Sequence, residues 1–384
     1  MSNSKQIEKT KNHNESKQYL ELADQFRDNG DVNEAIDYYF KAYDEPDLKG
    51  ATLVRLKRLV DNRLISFPEL NKIGDFAVEA FKKDSHNKQL IALIIKTFNY
   101  LNKTSESILF CQQLVYRENL TNKPEFLKQF WGKSRGPDFI ITGFLKCGTT
   151  SLYEYMIKHP NILQISQKEL MFFNVEKNYT LGLDWYLSNF PPIPESADYI
   201  SGEASTLYCL NKLAGERVKK HFPNTKLIFI LRNPVNRAIS NYFFNQKQIG
   251  KNQKTLEEVI ERETKKINKL IHQGKDIGTE LSGSAGIISS GLYVYFIEKW
   301  LHLFPREQVL FLQTETLAKE PQLVMDTVFN FLNLPEHTIS QSVQKNAGSY
   351  SPIEEHLKQR MAEFYRPHNQ KLEEYLGMSF GWDL

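Results

Sequence analysis

Residues 137–156 read PDFIITGFLKCGTTSLYEYM: a short apolar strand, a glycine-bearing turn and an amphipathic helix. A strand that ends at Gly143, turns through Gly148 and opens a helix near Thr149 leaves several backbone N–H groups without intrahelical partners. The helix dipole adds partial positive charge at the same place, so a turn of this kind holds phosphate. Thr149, Thr150 and Ser151 add hydroxyl donors, and Lys146 adds a full charge. Lys146 stands before Gly148, however, whereas the ATP-binding pattern GxxxxGK[ST] puts its lysine after the last glycine. The mismatch counts against a P-loop NTPase or small-molecule kinase. An ordinary strand–turn–helix with a capping threonine is the plain alternative.

A second strand end follows in KLIFILRNPVNRAISNYFF, residues 226–244. The apolar run stops at Leu231, Arg232 stands at its tip, and Asn233-Pro234 starts a helix. Ser240 lies eight residues beyond Arg232, about two helical turns along. A guanidinium fork at the strand end and a hydroxyl on the adjoining helix can share one phosphate. A structural salt bridge is the alternative for Arg232 alone. Two anion sites on neighbouring strand ends suit a nucleotide with phosphates at both ends.

Outward from these motifs the chain alternates strands with helices. The strands are FIITG, ILQIS, ADYISGE, KLIFILR and VLFLQTE; the helices include 212–221, 234–246, 255–271, 292–303, 322–332 and 352–376. This predicts an α/β domain over 137–384, a P-loop-like parallel sheet flanked by helices with ligands at the carboxyl ends of its strands. Upstream, residues 1–17 are polar and read as disordered, and 18–130 read as an α-helical domain. Residues 19–47, YLELADQFRDNGDVNEAIDYYFKAYDEPD, resemble one tetratricopeptide repeat. The helices after it match the repeat loosely, and a plain helical bundle fits equally well. A repeat array would imply a protein partner or a carrier-held substrate in its groove.

Composition narrows the classes. Of 384 residues, 41% are hydrophobic and 25% charged, as in an ordinary globular protein. A net charge of +3 gives no argument for nucleic acid. Three scattered cysteines build neither a disulfide framework nor a zinc site, and they point to reduced thiols in a cytosol. The start lacks a secretory h-region, and no apolar run approaches the roughly 20 residues of a membrane span.

FLKCGTTSL, RNPVNRAISNYF and KELMFFNVEKNYTLGLDWYLSNFP (168–191) together resemble sulfotransferases that use 3′-phosphoadenosine 5′-phosphosulfate (PAPS). The resemblance is to the family of heparan sulfate N- and 3-O-sulfotransferases and their bacterial relatives, and it covers about 138–380. It implies the sulfotransferase fold and transfer of a sulfuryl group to a hydroxyl or amine of a saccharide or small natural product. By the same resemblance Lys146 contacts the 5′-phosphosulfate, and Cys147, Gly148, Thr149, Thr150 and Ser151 form the 5′-phosphate loop. Arg232 and Ser240 bind the 3′-phosphate, and Glu169 is the catalytic base, with Lys168 beside it. In QKNAGSY (344–350), Lys345, Gly348 and Tyr350 lie where relatives close a loop over the nucleotide. The scheme requires no metal.

Departures are visible. In SGEASTLY (201–208) the animal enzymes carry a lysine where Ala204 stands, which leaves Glu203 as a candidate second carboxylate. Cys147 replaces a glycine of those relatives. His159 reads as a helix-ending His-Pro, and Trp185, Tyr186 and Phe190 read as core. The run EEVIERETKKINK reads as a solvated helix face. A non-enzymatic helical scaffold with a decayed cofactor domain is the third alternative, against which Lys146, Glu169, Arg232 and Ser240 stand intact.

Overall fold

The computed structural model describes residues 2–61, 65–120, 123–127, 134–193, 198–249, 254–339 and 353–382. Lys345, Gly348 and Tyr350 lie outside the described residues. The chain divides into two compact units, Met1–Thr121 with Leu181–Asn189, and Asn122–Thr180 with Phe190–Leu384.

The first unit is helical: α1 (Ser2–Asn29), α2 (Val32–Tyr43), α3 (Lys49–Asp61), α4 (Phe67–Lys83), α5 (Lys88–Tyr100) and α6 (Thr104–Leu120). The polar start, expected to be disordered, has helical backbone from Ser2. No Pro or Gly occurs before Gly30, and the many Lys, Gln and Glu residues are good helix formers. Ala23 of α1 and Ala35, Ile36, Tyr39 and Ala42 of α2 are fully buried in one cluster with Leu56, Ile73, Ala77 and Ile94. Alanines at the α1–α2 contact let the two backbones approach closely. Asp24 ties the unit together, accepting from Tyr39 Oη at 2.7 Å and Arg55 Nε at 2.9 Å. Helix α5 starts where the Asn87 side chain accepts from the N–H groups of Gln89 and Leu90. The segment Leu181–Asn189 belongs to this unit, with Trp185 Nε1 donating to Ser107 Oγ at 3.1 Å.

The second unit is built on a five-stranded parallel sheet in the order β2-β3-β1-β4-β5. The strands are β1 (Phe139–Gly143), β2 (Ile162–Leu163), β3 (Ile200–Ala204), β4 (Lys226–Leu231) and β5 (Val309–Gln313). All of β1, and β4 beyond Lys226, is buried. Continuous apolar runs of this kind belong to a parallel sheet covered on both faces. The expected ILQIS strand shrinks to two residues because β2 is an edge strand with one partner, β3.

The strand order places the ligand crevice. From β1 the chain goes to β2 and β3 on one side, then crosses to β4 on the other. The order reverses between β1 and β4, where open α/β sheets bind ligands beyond the carboxyl ends of their strands. Lys146 follows β1 and Arg232 follows β4, so both motifs of the sequence meet at this point.

Candidate active site

The loop after β1 is shaped by close approach. A Cβ on Gly143 would lie 2.3 Å from Cys209 Sγ and 3.1 Å from the Thr206 carbonyl, so any larger residue would push the 206–209 segment away. Phe144 N–H donates to Ile230 O at 3.0 Å, pinning the loop's start to β4. Gly148, with φ of +84°, takes the left-handed turn that admits the helix Thr149–Met156. The amides of Thr149, Thr150 and Ser151 are the first of that helix, the ones a helix cannot satisfy internally.

Cys147 faces inward. Its N–H donates to Phe144 O at 3.2 Å, its thiol is buried 3.5 Å from the Tyr293 hydroxyl, and burial pushes its pKa up to about 11. It supports the loop from within as a neutral thiol. Lys146 has left-handed backbone, φ 68°, and its Nζ stands 4.2 Å from the centre of the Phe244 ring. Phe244 belongs to the helix Pro234–Ile249 that also carries Ser240.

Arg232 binds the first loop directly, Nη1 donating to Lys146 O at 3.2 Å. Its flanks are held from the end of β5. Thr314 Oγ1 lies 2.8 Å from Leu231 O, and Asn233 N–H donates to Glu315 Oε1 at 2.9 Å. Asn233 caps the following helix, its side chain accepting from the N–H groups of Val235 and Asn236. Ser240 is buried on that helix.

Glu169 has φ of 60°, a costly conformation for a non-glycine residue. Of five such residues among those described, Lys146, Glu169 and Met171 lie in these loops. Left-handed strain gathered at one place is a mark of functional sites. The conformation is held by Glu169 N–H donating to Ala204 O at 3.0 Å. Its carboxylate accepts from Thr206 N–H at 3.0 Å and from Thr206 Oγ1 at 3.1 Å. Burial raises the Glu169 pKa, and the Thr206 bonds and the Lys168 charge oppose that rise. Lys168 Nζ donates to Thr150 Oγ1 at 2.8 Å, so the dipeptide Lys168-Glu169 joins the first turn of the helix Thr149–Met156 to the end of β3. Burial lowers the Lys168 pKa.

One sequence expectation shifts and one stands: the candidate carboxylate Glu203 faces inward, and His159 keeps the structural place read for it. Glu203, the candidate second carboxylate, is fully buried, accepting from Ser205 Oγ at 2.8 Å and Tyr208 Oη at 3.1 Å, so its oxygens hold the segment after β3. His159 is structural: Nδ1 accepts from Asn161 N–H at 3.0 Å, which leaves Nε2 to donate to Pro335 O at 3.0 Å. Thr206, Tyr293, Thr314 and Glu315 were missed. Thr206 and the Thr314-Glu315 pair follow strands of the sheet that positions Lys146 and Arg232, and position after a strand end is the signal that could have found them.

A sulfotransferase domain model matches residues 136–372, more than half of the chain. The chain belongs to the sulfotransferase domain family. Its α/β unit is a sulfotransferase domain. The membrane-associated sulfotransferase kil1 of Dictyostelium discoideum is 25% identical over 314 residues, covering 64% of this chain and 66% of that protein. The mouse heparan sulfate glucosamine 3-O-sulfotransferase 6 is 28% identical over 276 residues, covering 66% and 75%. The bifunctional heparan sulfate N-deacetylase/N-sulfotransferase 1 of Caenorhabditis briggsae is 28% identical over 205 residues, and the match spans 23% of its length. A solved sulfotransferase from Alicyclobacillus acidocaldarius superposes with a TM-score of 0.50 at 25% identity, covering 64% of this chain and 98% of that one. Among the described residues no helix of this sulfotransferase is long and apolar enough to cross a membrane.

Proposed function

We propose that the protein moves a sulfuryl group from PAPS to a hydroxyl or amine of a saccharide or small natural product. The observation that carries this is the junction of the two strand-end loops, where Arg232 Nη1 reaches Lys146 O at 3.2 Å. That contact ties the strand end that carries the Arg232 guanidinium to the loop that carries the Lys146 ammonium, and two cations on adjacent strand ends fit a nucleotide phosphorylated at both ends. PAPS, when bound, supplies an activated sulfuryl group and a phosphate leaving group.

Each residue of the chain then has a task. The amides and hydroxyls of Thr149, Thr150 and Ser151, at the helix N-terminus, hold the 5′-phosphate. Lys146 sits at the loop's turn, where a cation stabilises negative charge growing on the leaving oxygen. Arg232 and Ser240 take the 3′-phosphate. Glu169 accepts the acceptor's proton, and its raised pKa brings its basicity closer to that task. Thr206 fixes both carboxylate oxygens so that the base meets the acceptor in one orientation.

A saccharide acceptor is supported by the heparan sulfate glucosamine specificity named for the relatives. The helical unit is assigned a protein or carrier-bound partner, for which its own buried core provides a stable platform. Three buried thiols fit a reducing compartment such as the cytoplasm. The test is to offer sulfate-labelled PAPS with a panel of sugars, amines and alcohols and to weigh the products. Label transfer that disappears in Glu169→Gln supports the reading. Label that stays on the nucleotide across a panel including glucosamine-containing saccharides opposes it.

A further inference from the structure

We propose that Thr314 is a positioning residue that couples the 3′-phosphate pocket to Lys146, so that each end of the donor is held more tightly when the other is bound. The inference rests on the donor reading above and adds a device to it. Thr314 follows β5, the strand beside β4, and its hydroxyl oxygen stands 2.6 Å from Cys147 O and 2.8 Å from Leu231 O. One hydroxyl proton is therefore shared between the carbonyl just after Lys146 and the carbonyl just before Arg232. Its Cγ2 also packs on the loop, 3.4 Å from where a Cβ on Gly148 would lie.

Two further contacts span the same gap. Tyr293 Oη donates to Arg232 O at 2.8 Å and lies 3.5 Å from Cys147 Sγ. Arg232 Nη1 donates to Lys146 O. Neither loop can shift without disturbing the other, because three side chains bridge them, Thr314 and Arg232 at backbone carbonyls and Tyr293 between the Arg232 carbonyl and the Cys147 thiol. An anion that draws the Arg232 guanidinium acts on Lys146 through the peptide groups on either side of it. Tyr293 and Arg232 have further duties, in the core and at the phosphate. Thr314 has its hydroxyl committed to the bridge alone, and so it is the place to cut.

Binding of 3′-phosphoadenosine 5′-phosphate (PAP), measured by calorimetry, tests this without an acceptor. Lys146→Ala weakens one end and Arg232→Ala the other. With positive coupling the double variant loses less affinity than the product of the single losses, by about tenfold in the wild-type background. Thr314→Val keeps the shape, removes the hydroxyl and lowers that factor by threefold or more; Thr314→Ser keeps the hydroxyl and restores it. A factor below three in wild type overturns the proposal even if Thr314→Val does not fold. A reduction of less than threefold in Thr314→Val overturns it as well, since a merely structural threonine would change affinity and leave the coupling alone. Wild type that binds PAP with independent ends sinks only the coupling, whereas wild type that fails to bind PAP sinks the donor reading with it.

Discussion

Glu169 receives two hydrogen bonds from a single residue, one from the Thr206 backbone N–H at 3.0 Å and one from its hydroxyl at 3.1 Å. The pair fixes the carboxylate plane, and it also offsets the burial that raises the carboxyl pKa. Thr206→Val removes the hydroxyl and keeps the amide. The acid limb of the pH–rate profile, which reports the base, should move to higher pH, and kcat at neutral pH should fall by about tenfold or more for a lost hydrogen bond to a charged group. A variant with lower kcat and an unmoved limb would show that Thr206 does not set the basicity of Glu169.

Glu169→Gln should separate binding from transfer. The amide is nearly isosteric, so PAP affinity should change less than about twofold, while label transfer should fall by about a hundredfold or more, the usual worth of a general base. Transfer at the normal rate would remove Glu169 from the mechanism.

The same substitution should raise stability at neutral pH. A carboxyl whose folded pKa lies above its unfolded value contributes stability while protonated and loses it as pH rises through the folded value. Wild type therefore carries the full cost of the buried charge at neutral pH, and Glu169→Gln does not. Melting curves should show the variant more stable near neutrality, with the gap narrowing as pH falls through the folded carboxyl value and closed once pH is below the unfolded one. A gap that widens toward acid would reverse the sign of the assigned shift.

Gly143→Ala should destabilise the domain by about 1–3 kcal/mol, the range for forcing an extra methyl into a packed site. Its Cβ meets Cys209 Sγ at 2.3 Å, and Cys209→Ala should recover part of the loss by vacating that space. Denaturant midpoints of the two single variants and the double variant check this. No recovery would place the strain at the Thr206 carbonyl, 3.1 Å away, instead.

The parallel sheet and the two cation-bearing loops at its strand ends were legible because both signals are local: an apolar run, then a turn carrying a cation, then a helix. The helix 212–221 was read to the residue, since Asn211 caps it through its side chain and His221 closes a basic last turn. What escaped depends on distant partners. Glu263, in a run read as solvated, accepts from the N–H groups of Ile287, Ile288 and Ser289, and nothing in a periodic charge pattern marks one glutamate as the inward one. Glu203 has the residue type of a catalytic acid, and only the fold shows its oxygens spent on Ser205 and Tyr208. Thr314 is one hydroxyl after a strand, and its meaning lies in two carbonyls that come 167 and 83 residues earlier in the chain.

The central claim is that two cationic loops at neighbouring strand ends grip opposite ends of a 3′-phosphorylated adenosine. Comparing the affinity of the wild-type protein for PAP and for adenosine 5′-phosphate, without magnesium, tests it most directly. The account predicts PAP binding tighter by about tenfold or more, the worth of one charge-assisted phosphate contact, and a ratio that collapses toward one in Arg232→Ala. Equal affinity for the two nucleotides in wild type, or binding that appears only with magnesium, would contradict it.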